Sequence, residues 1–291
     1  MTSPRSSATG ASMELCHSLS ICVPTYNRLD MLKTALGSLY KHLPEGRPWE
    51  VVVSDNASTD GSAEWIEEQS FANLTLLRQP ATVSMYANHN ECINTATGEW
   101  ILFLHSDDVV TYNPYDDLDA FSRWLEIEPQ ISVVMPARPI HKSAEIPTDL
   151  RGSQGAAQLL RWPSSIPSGT FYRRVPLREA GFNVETISAD LEYLFVQLAV
   201  DNTVQIVPST CVEVTLGSHQ ATAMVRRRRG YIAEISGILR RQFSTFPSLG
   251  GDLTTEFQSM NRVEKRRTLL ILHRARMWLL ALRLVVMSAR R

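Results

Sequence analysis

Apolar residues in the first half of the chain come in short blocks, with amphipathic stretches between them. Leu19–Val23 is one such block, stopped by Pro24, and it predicts a buried strand. Leu29, Leu32, Leu36 and Leu39 then recur at helical spacing up to Tyr40, which puts one apolar stripe on a helix. EVVVS at Glu50–Ser54 predicts a second strand, Ala63–Gln69 a helix, and Leu74–Arg78 a third strand. Met85–Ala96 predicts another helix, with Gly98 past its end as a C′ glycine. WILFL at Trp100–Leu104 is the most apolar strand in the chain. Asn113-Pro114 supplies a cap and a first-turn proline for a helix over Tyr115–Leu125, and Ile131–Met135 is one more strand.

Short buried strands alternating with helices imply an α/β fold, with a mostly parallel sheet covered on both faces. Such sheets bind ligands at the carboxyl ends of their strands. Those ends carry Pro24-Thr25-Tyr26-Asn27, then Asp55-Asn56, then His105-Ser106-Asp107-Asp108. Beyond residue 137 the alternation weakens. Pro139, Pro147, Pro163 and Pro167 mark an irregular segment, Asp190–Val200 predicts a helix, and Val204–Leu216 one or two strands. From residue 221 onward the chain reads as helical, and no internal repeat is visible.

Charge changes the picture of that last part. The formal net charge of −1 hides a split: residues 221–291 hold 15 of the 29 Lys+Arg and 4 of the 30 Asp+Glu. An acidic body is joined to a basic extension, which signals a partner. Arg226–Arg229 is a run of four. Arg266, His273, Arg276, Arg283 and Arg290 fall on one stripe if the end of the chain is a single helix. With Trp278 and many Leu residues, that helix suits either an anionic membrane surface or packing on the acidic body or a second subunit. The acidic body and the lack of an RNA-binding motif argue against nucleic acid. Hydrophobic residues at 44% and charged residues at 20% exclude disorder. The first 14 residues lack an apolar core and read as a disordered lead, not a signal peptide. No run of about 18 apolar residues exists, so no spanning helix is expected. The cysteines at 16, 22, 92 and 211 form no CxxC. Cys22 and Cys211, in apolar strand-like runs, read as reduced, buried thiols, which suits the cytosol.

There is no GxGxxG after the first strand and no GxxxxGK[ST], so neither phosphate cradle is present. Asp107 and Asp108 are adjacent carboxylates at a strand end, and a hard divalent cation is one reason for such a pair. Solvated turn chemistry is the other. Asp55 ends its strand among turn formers (Asn56, Ser58, Asp60-Gly61), where it serves a turn or a ligand's hydrogen-bonding edge.

Three segments, LSICVPTYNR, EVVVSDNASTDGS and TGEWILFLHSDDV, occur in this order over roughly residues 17–135. Together they resemble the family 2 glycosyltransferases of the GT-A fold, a Rossmann-like, mostly parallel sheet flanked by helices. The resemblance implies a catalytic domain over 15–220, after the lead at 1–14 and before a basic helical C-terminal extension at 221–291. It implies that Pro24, Thr25, Tyr26 and Arg28 border the base and ribose, that Asp55 bonds the base, and that Arg78 approaches the nucleotide. Asp107 stands at the last position of the family's DxD, touching metal and diphosphate, with Asp108 flanking it. His219 matches a metal- or phosphate-side histidine, and Asp190, in Ala189-Asp190, matches the general base.

The implied activity is inverting transfer of a sugar from a nucleoside-diphosphate sugar, UDP- or dTDP-linked, to a hydroxyl, with Mn²⁺ or Mg²⁺ as cofactor. A carbohydrate or lipid-linked acceptor of a bacterial surface polysaccharide fits. So does a cytoplasmic protein peripheral on the inner membrane face, or a homo-oligomer. Three positions depart from the family pattern: His105 replaces the first Asp of the DxD, Thr82-Val83-Ser84 replaces an Asn-x-Gly, and Ala189 replaces an acidic residue. They leave a second class open, a non-catalytic nucleotide-sugar binder or scaffold. Gln158–Trp162 spells the QxxRW of processive polymerases, but it precedes Asp190 and is read as chance.

Overall fold

The computed structural model describes residues 17–137, 148–161, 167–215, 228–242, 245, 246, 248–277, 280, 281 and 284. In chain order the strands are β1 (Leu19–Thr25), β2 (Trp49–Asp55), β3 (Leu74–Arg78), β4 (Trp100–Phe103), β5 (Val109–Val110), β6 (Ile131–Pro136), β7 (Asp149–Leu150), β8 (Phe171–Arg173), β9 (Thr203–Val207) and β10 (Val212–Glu213). The helices are α1 (Leu29–His42), α2 (Ser62–Glu68), α3 (Met85–Thr95), α4 (Pro114–Ile127), α5 (Gly152–Arg161), α6 (Arg174–Ala180) and α7 (Ala189–Ala199). Three more follow in the basic extension: α8 (Arg228–Gln242), α9 (Leu249–Ser259) and α10 (Arg262–Arg274).

Eight strands form one sheet in the order β3-β2-β1-β4-β8-β6-β9-β7, and β5 and β10 form a two-stranded ribbon. β3, β2, β1 and β4 are mutually parallel, as are β6 and β9, whereas β8 and β7 run antiparallel to their neighbours. Every residue of β1, β4 and β6 is buried, which explains why these segments read as continuous apolar runs. Their side chains alternate between two cores. Ile21, Val23, Val51, Val53, Trp100 and Leu102 pack with Leu32, Leu36 and Leu39 of α1. Cys22, Val52, Ile101 and Phe103 face Cys92 and Ile93 of α3 and the apolar residues of α5 and α7.

The extension feeds that second core. Ile232, Ile235, Ile238 and Leu239 of α8, Leu253 and Phe257 of α9, and Ile271 and Leu272 of α10 lie in one cluster with Leu160, Leu194 and Leu198. Arg276 does not continue the stripe of Arg266 and His273 on one helix, because α10 stops at Arg274. Arg276 takes the left-handed backbone at φ 62°, with Met277 N–H on Leu272 O and Arg276 N–H on His273 O, a Schellman stop. Arg283 and Arg290 lie outside the described residues, as do His219, Arg226, Arg227 and Trp162.

Gly98 also differs from expectation. It does not close α3, whose C-cap is Ala96. Its N–H donates to Ser20 Oγ, and a Cβ there would lie 2.6 Å from Ser20 N, so the glycine permits close approach of two backbones. Among the described residues, no helix is long and apolar enough to cross a membrane.

Candidate active site

The carboxyl ends of β1, β2 and β4 are adjacent because these strands are neighbours, and Thr25 is in register with Asp55. Asp55 is buried. Its Oδ2 accepts from Ser58 N–H at 3.0 Å, while Oδ1 has no hydrogen-bond partner within the protein. Thr25 Oγ1, equally buried, has none either. Unmatched buried polar atoms cost about 1–3 kcal/mol each, and both of these could be matched by a ligand at this edge. The turns around it are pinned. Asn56 and Val83 exchange two hydrogen bonds, and Asn27, at φ 49°, accepts from Thr59 N–H through Oδ1. Pro24 is buried, and Tyr26 beyond it is 46% exposed at the rim.

Arg28, just before α1, places its guanidinium 2.9 Å from Asp107 Oδ2. His105, Asp107 and Asp108 each offer one ligand atom, all within 4.8 Å of one another. Asp108 is the buried member, and Thr215 N–H donates to its Oδ1 at 2.8 Å. Burial pushes the Asp108 carboxyl up. It pushes His105 down, against the pull of the Asp108, Asp107 and Asp190 carboxylates. Two carboxylates and an imidazole fit a divalent cation of the Mn²⁺ class, the nitrogen being less suited to Mg²⁺.

Helix α3 supplies two residues the sequence reading did not single out. Tyr86 Oη donates to Asp190 Oδ1 at 2.5 Å, both groups being buried. Burial, then the nearby Asp190 charge, raises the Tyr86 phenol far above its usual range, so it stays the donor. Asp190 sits in the first turn of α7, where the helix dipole favours a carboxylate. One turn along α3, the His89 Nε2 lies 3.2 Å from His105 Nε2. Burial, reinforced by His105, takes His89 down to about 3. A helix position carries no motif of its own. The available signal was Tyr86 and His89 at i, i+3 on the buried face of an otherwise polar helix.

Arg78 joins a different group. It pairs with Glu64 at 2.5 Å and Glu67 at 3.1 Å on α2. The implied approach to the nucleotide therefore competes with two glutamates, although Arg78 is in register with Asp55. His219 cannot be placed against the site, lying outside the described residues.

A family model described as "Glycosyl transferase family 2" matches residues 20–179, more than half of the chain. A poly(ribitol-phosphate) beta-glucosyltransferase of Bacillus spizizenii is 29% identical over 109 residues, covering 36% of this chain and 16% of that protein. The chain spans well under two thirds of the length of the first curated relatives it matches. Among solved structures, the S. aureus TarS fragment 1–349 in complex with UDP-GlcNAc is similar with a TM-score of 0.58 at 19% identity, over 89% of this chain and 87% of that one. The Pyrobaculum calidifontis mannosyltransferase PcManGT, in complex with GDP-Man and Mn²⁺, reaches a TM-score of 0.61 at 17% identity, over 94% and 80%. The fold is thus the mostly parallel GT-A sheet of those neighbours, and the chain belongs to glycosyl transferase family 2.

Proposed function

We propose that the protein moves a sugar, with inversion, from a UDP- or dTDP-sugar to a hydroxyl of a carbohydrate or lipid-linked acceptor in surface-polysaccharide or lipid-linked oligosaccharide synthesis. The observation that carries this reading is the gathering of three carboxylates at one end of the sheet in different states. Asp55 keeps a bare buried Oδ1, Asp107 is held by Arg28, and Asp190 by Tyr86. UDP-GlcNAc in TarS and GDP-Man with Mn²⁺ in PcManGT support the donor class and the cation.

Asp55 Oδ1 would accept from the imide N–H that uracil and thymine share, with Pro24, Thr25 and Tyr26 bordering base and ribose. Arg28 would exchange its bond to Asp107 for the diphosphate. Asp107 and Asp108 would hold the divalent cation, which supplies charge neutralisation to the leaving diphosphate when bound. Asp190 would take the proton of the acceptor hydroxyl as its oxygen attacks the anomeric carbon from the face opposite the leaving group, which inverts the configuration. Arg262, Arg266 and Arg276 are exposed on or beside α10. They support an anionic membrane face as a docking surface, at about 1 kcal/mol per basic residue.

A thermal-shift screen against UDP-, dTDP-, GDP- and CDP-sugars with Mn²⁺, followed by donor hydrolysis, tests the reading, because a ligand stabilises according to its affinity. Stabilisation by a UDP- or dTDP-sugar with release of the diphosphate is expected. Binding that never leads to sugar release from any donor would favour the scaffold alternative.

A further inference from the structure

The contact between His89 and His105 has a direction. His89 Nδ1 lies 2.7 Å from the Met85 carbonyl oxygen, which can only accept, so Nδ1 carries the proton. His89 is 2% exposed and packed against Tyr86, Phe103 and Phe182. An imidazole buried among these rings is neutral, and its Nε2 is a bare acceptor. The hydrogen between the two rings, whose Nε2 atoms are 3.2 Å apart, therefore belongs to His105 Nε2. A neutral His105 then has its lone pair on Nδ1, the nitrogen His89 does not occupy.

His105 is only partly buried, and one of its two ring nitrogens lies within 4.8 Å of a carboxylate oxygen of both Asp107 and Asp108. Ligands about 2.1 Å from one ion stand at most about 4.2 Å apart, so the set needs only a small contraction. Resting on the donor-site reading above, we propose that His89 is a positioning residue. It fixes the Nε2–H tautomer of His105, so that His105 Nδ1 becomes a nitrogen ligand beside Asp107 and Asp108 and biases the site toward Mn²⁺-like cations over Mg²⁺. Outer hydrogen-bond partners of ligating histidines orient the ring in this way, and their loss costs about 10–100-fold in metal affinity.

The test uses the full chain with ¹⁵N-labelled histidine rings. Long-range ¹⁵N–¹H NMR without metal reads each tautomer. His105 is expected to carry its proton on Nε2 and His89 on Nδ1. Mn²⁺ and Mg²⁺ affinities are then measured by Mn²⁺ electron paramagnetic resonance in competition, with UDP present. His89→Phe removes the acceptor and should release the His105 tautomer and weaken Mn²⁺ about 10–100-fold, more than Mg²⁺. His89→Gln keeps an acceptor oxygen and should restore both. His105→Asp should narrow the Mn²⁺-over-Mg²⁺ preference. A wild-type His105 protonated on Nδ1, or an unchanged Mn²⁺ preference in His105→Asp, overturns the proposal, and neither depends on how well His89→Phe folds. If the donor-site reading itself were wrong, UDP would fail to bind the wild-type protein with or without metal.

Discussion

The Tyr86 hydroxyl donates to Asp190 Oδ1 at 2.5 Å, tying the first turn of α3 to the first turn of α7 across 104 positions of sequence. A donor to the charged form of a carboxylate lowers its basicity and fixes its orientation. Tyr86→Phe should therefore move the acid limb of the pH–rate profile upward, since the carboxylate loses that stabilisation. It should also lower kcat about tenfold, the scale of one hydrogen bond to a charged group. A profile that keeps its acid limb would show that the contact serves packing alone.

Asp190→Asn keeps the size and the bond to Tyr86 but cannot take a proton. Transfer should fall by about 10²–10⁴-fold, the usual share of a general base, while donor binding persists. Turnover with sugar donor and acceptor, alongside donor affinity by calorimetry, separates the two. Full turnover would remove Asp190 from the mechanism.

Arg28 and Asp107 neutralise each other at 2.9 Å. Asp107→Ala should abolish the Mn²⁺-dependent part of donor binding, whereas Arg28→Ala frees the carboxylate and should leave Mn²⁺ binding intact while weakening the nucleotide. Titration of UDP with and without Mn²⁺ distinguishes these outcomes.

Glu192 is buried and receives Arg241 of α8 at 2.7 Å, together with Asn183 Nδ2 at 3.0 Å. Arg241→Ala leaves that carboxylate short of a cation. Because the arginine is half exposed and Asn183 remains, the loss should be about 1–2 kcal/mol, below that of a fully buried pair. Urea unfolding should show a lower midpoint at unchanged slope.

His89 adds a pH dependence to stability. Its folded value of about 3 lies below the ordinary histidine value of 6.5 that holds in the unfolded chain. The unfolded chain therefore binds the proton first, and the stability contribution present at neutral pH is lost as pH falls from 6.5 toward 3. One such proton gives a slope of about 1.4 kcal/mol per pH unit within that window. Relative to wild type, His89→Gln should flatten the loss of stability between about pH 5 and 7 in denaturant titrations.

The strands β1, β4 and β6 were legible because burial on both faces leaves no alternative to continuous apolar runs, and β2 and the partly exposed edge strand β3 also lie where short apolar runs stand. The polar strand ends were legible for the same reason: Pro24-Thr25, Ser54-Asp55 and His105-Ser106-Asp107 each begin where an apolar block stops. β8 was not. It has three residues, too few for any period, and exists because β4 and β6 flank it on both sides. The basic extension was legible as helical and charged, but its inward apolar face was settled by α5 and α7, which present the matching surface. The bonds from Tyr86 to Asp190 and from His89 to His105 join residues that no local pattern relates. Sequence determines which segments must be buried and which ends stay polar, since both follow from the chain's own solvation. Which donor meets which carboxylate or ring nitrogen depends on distances between elements, and those exist only after the sheet and its helices have packed.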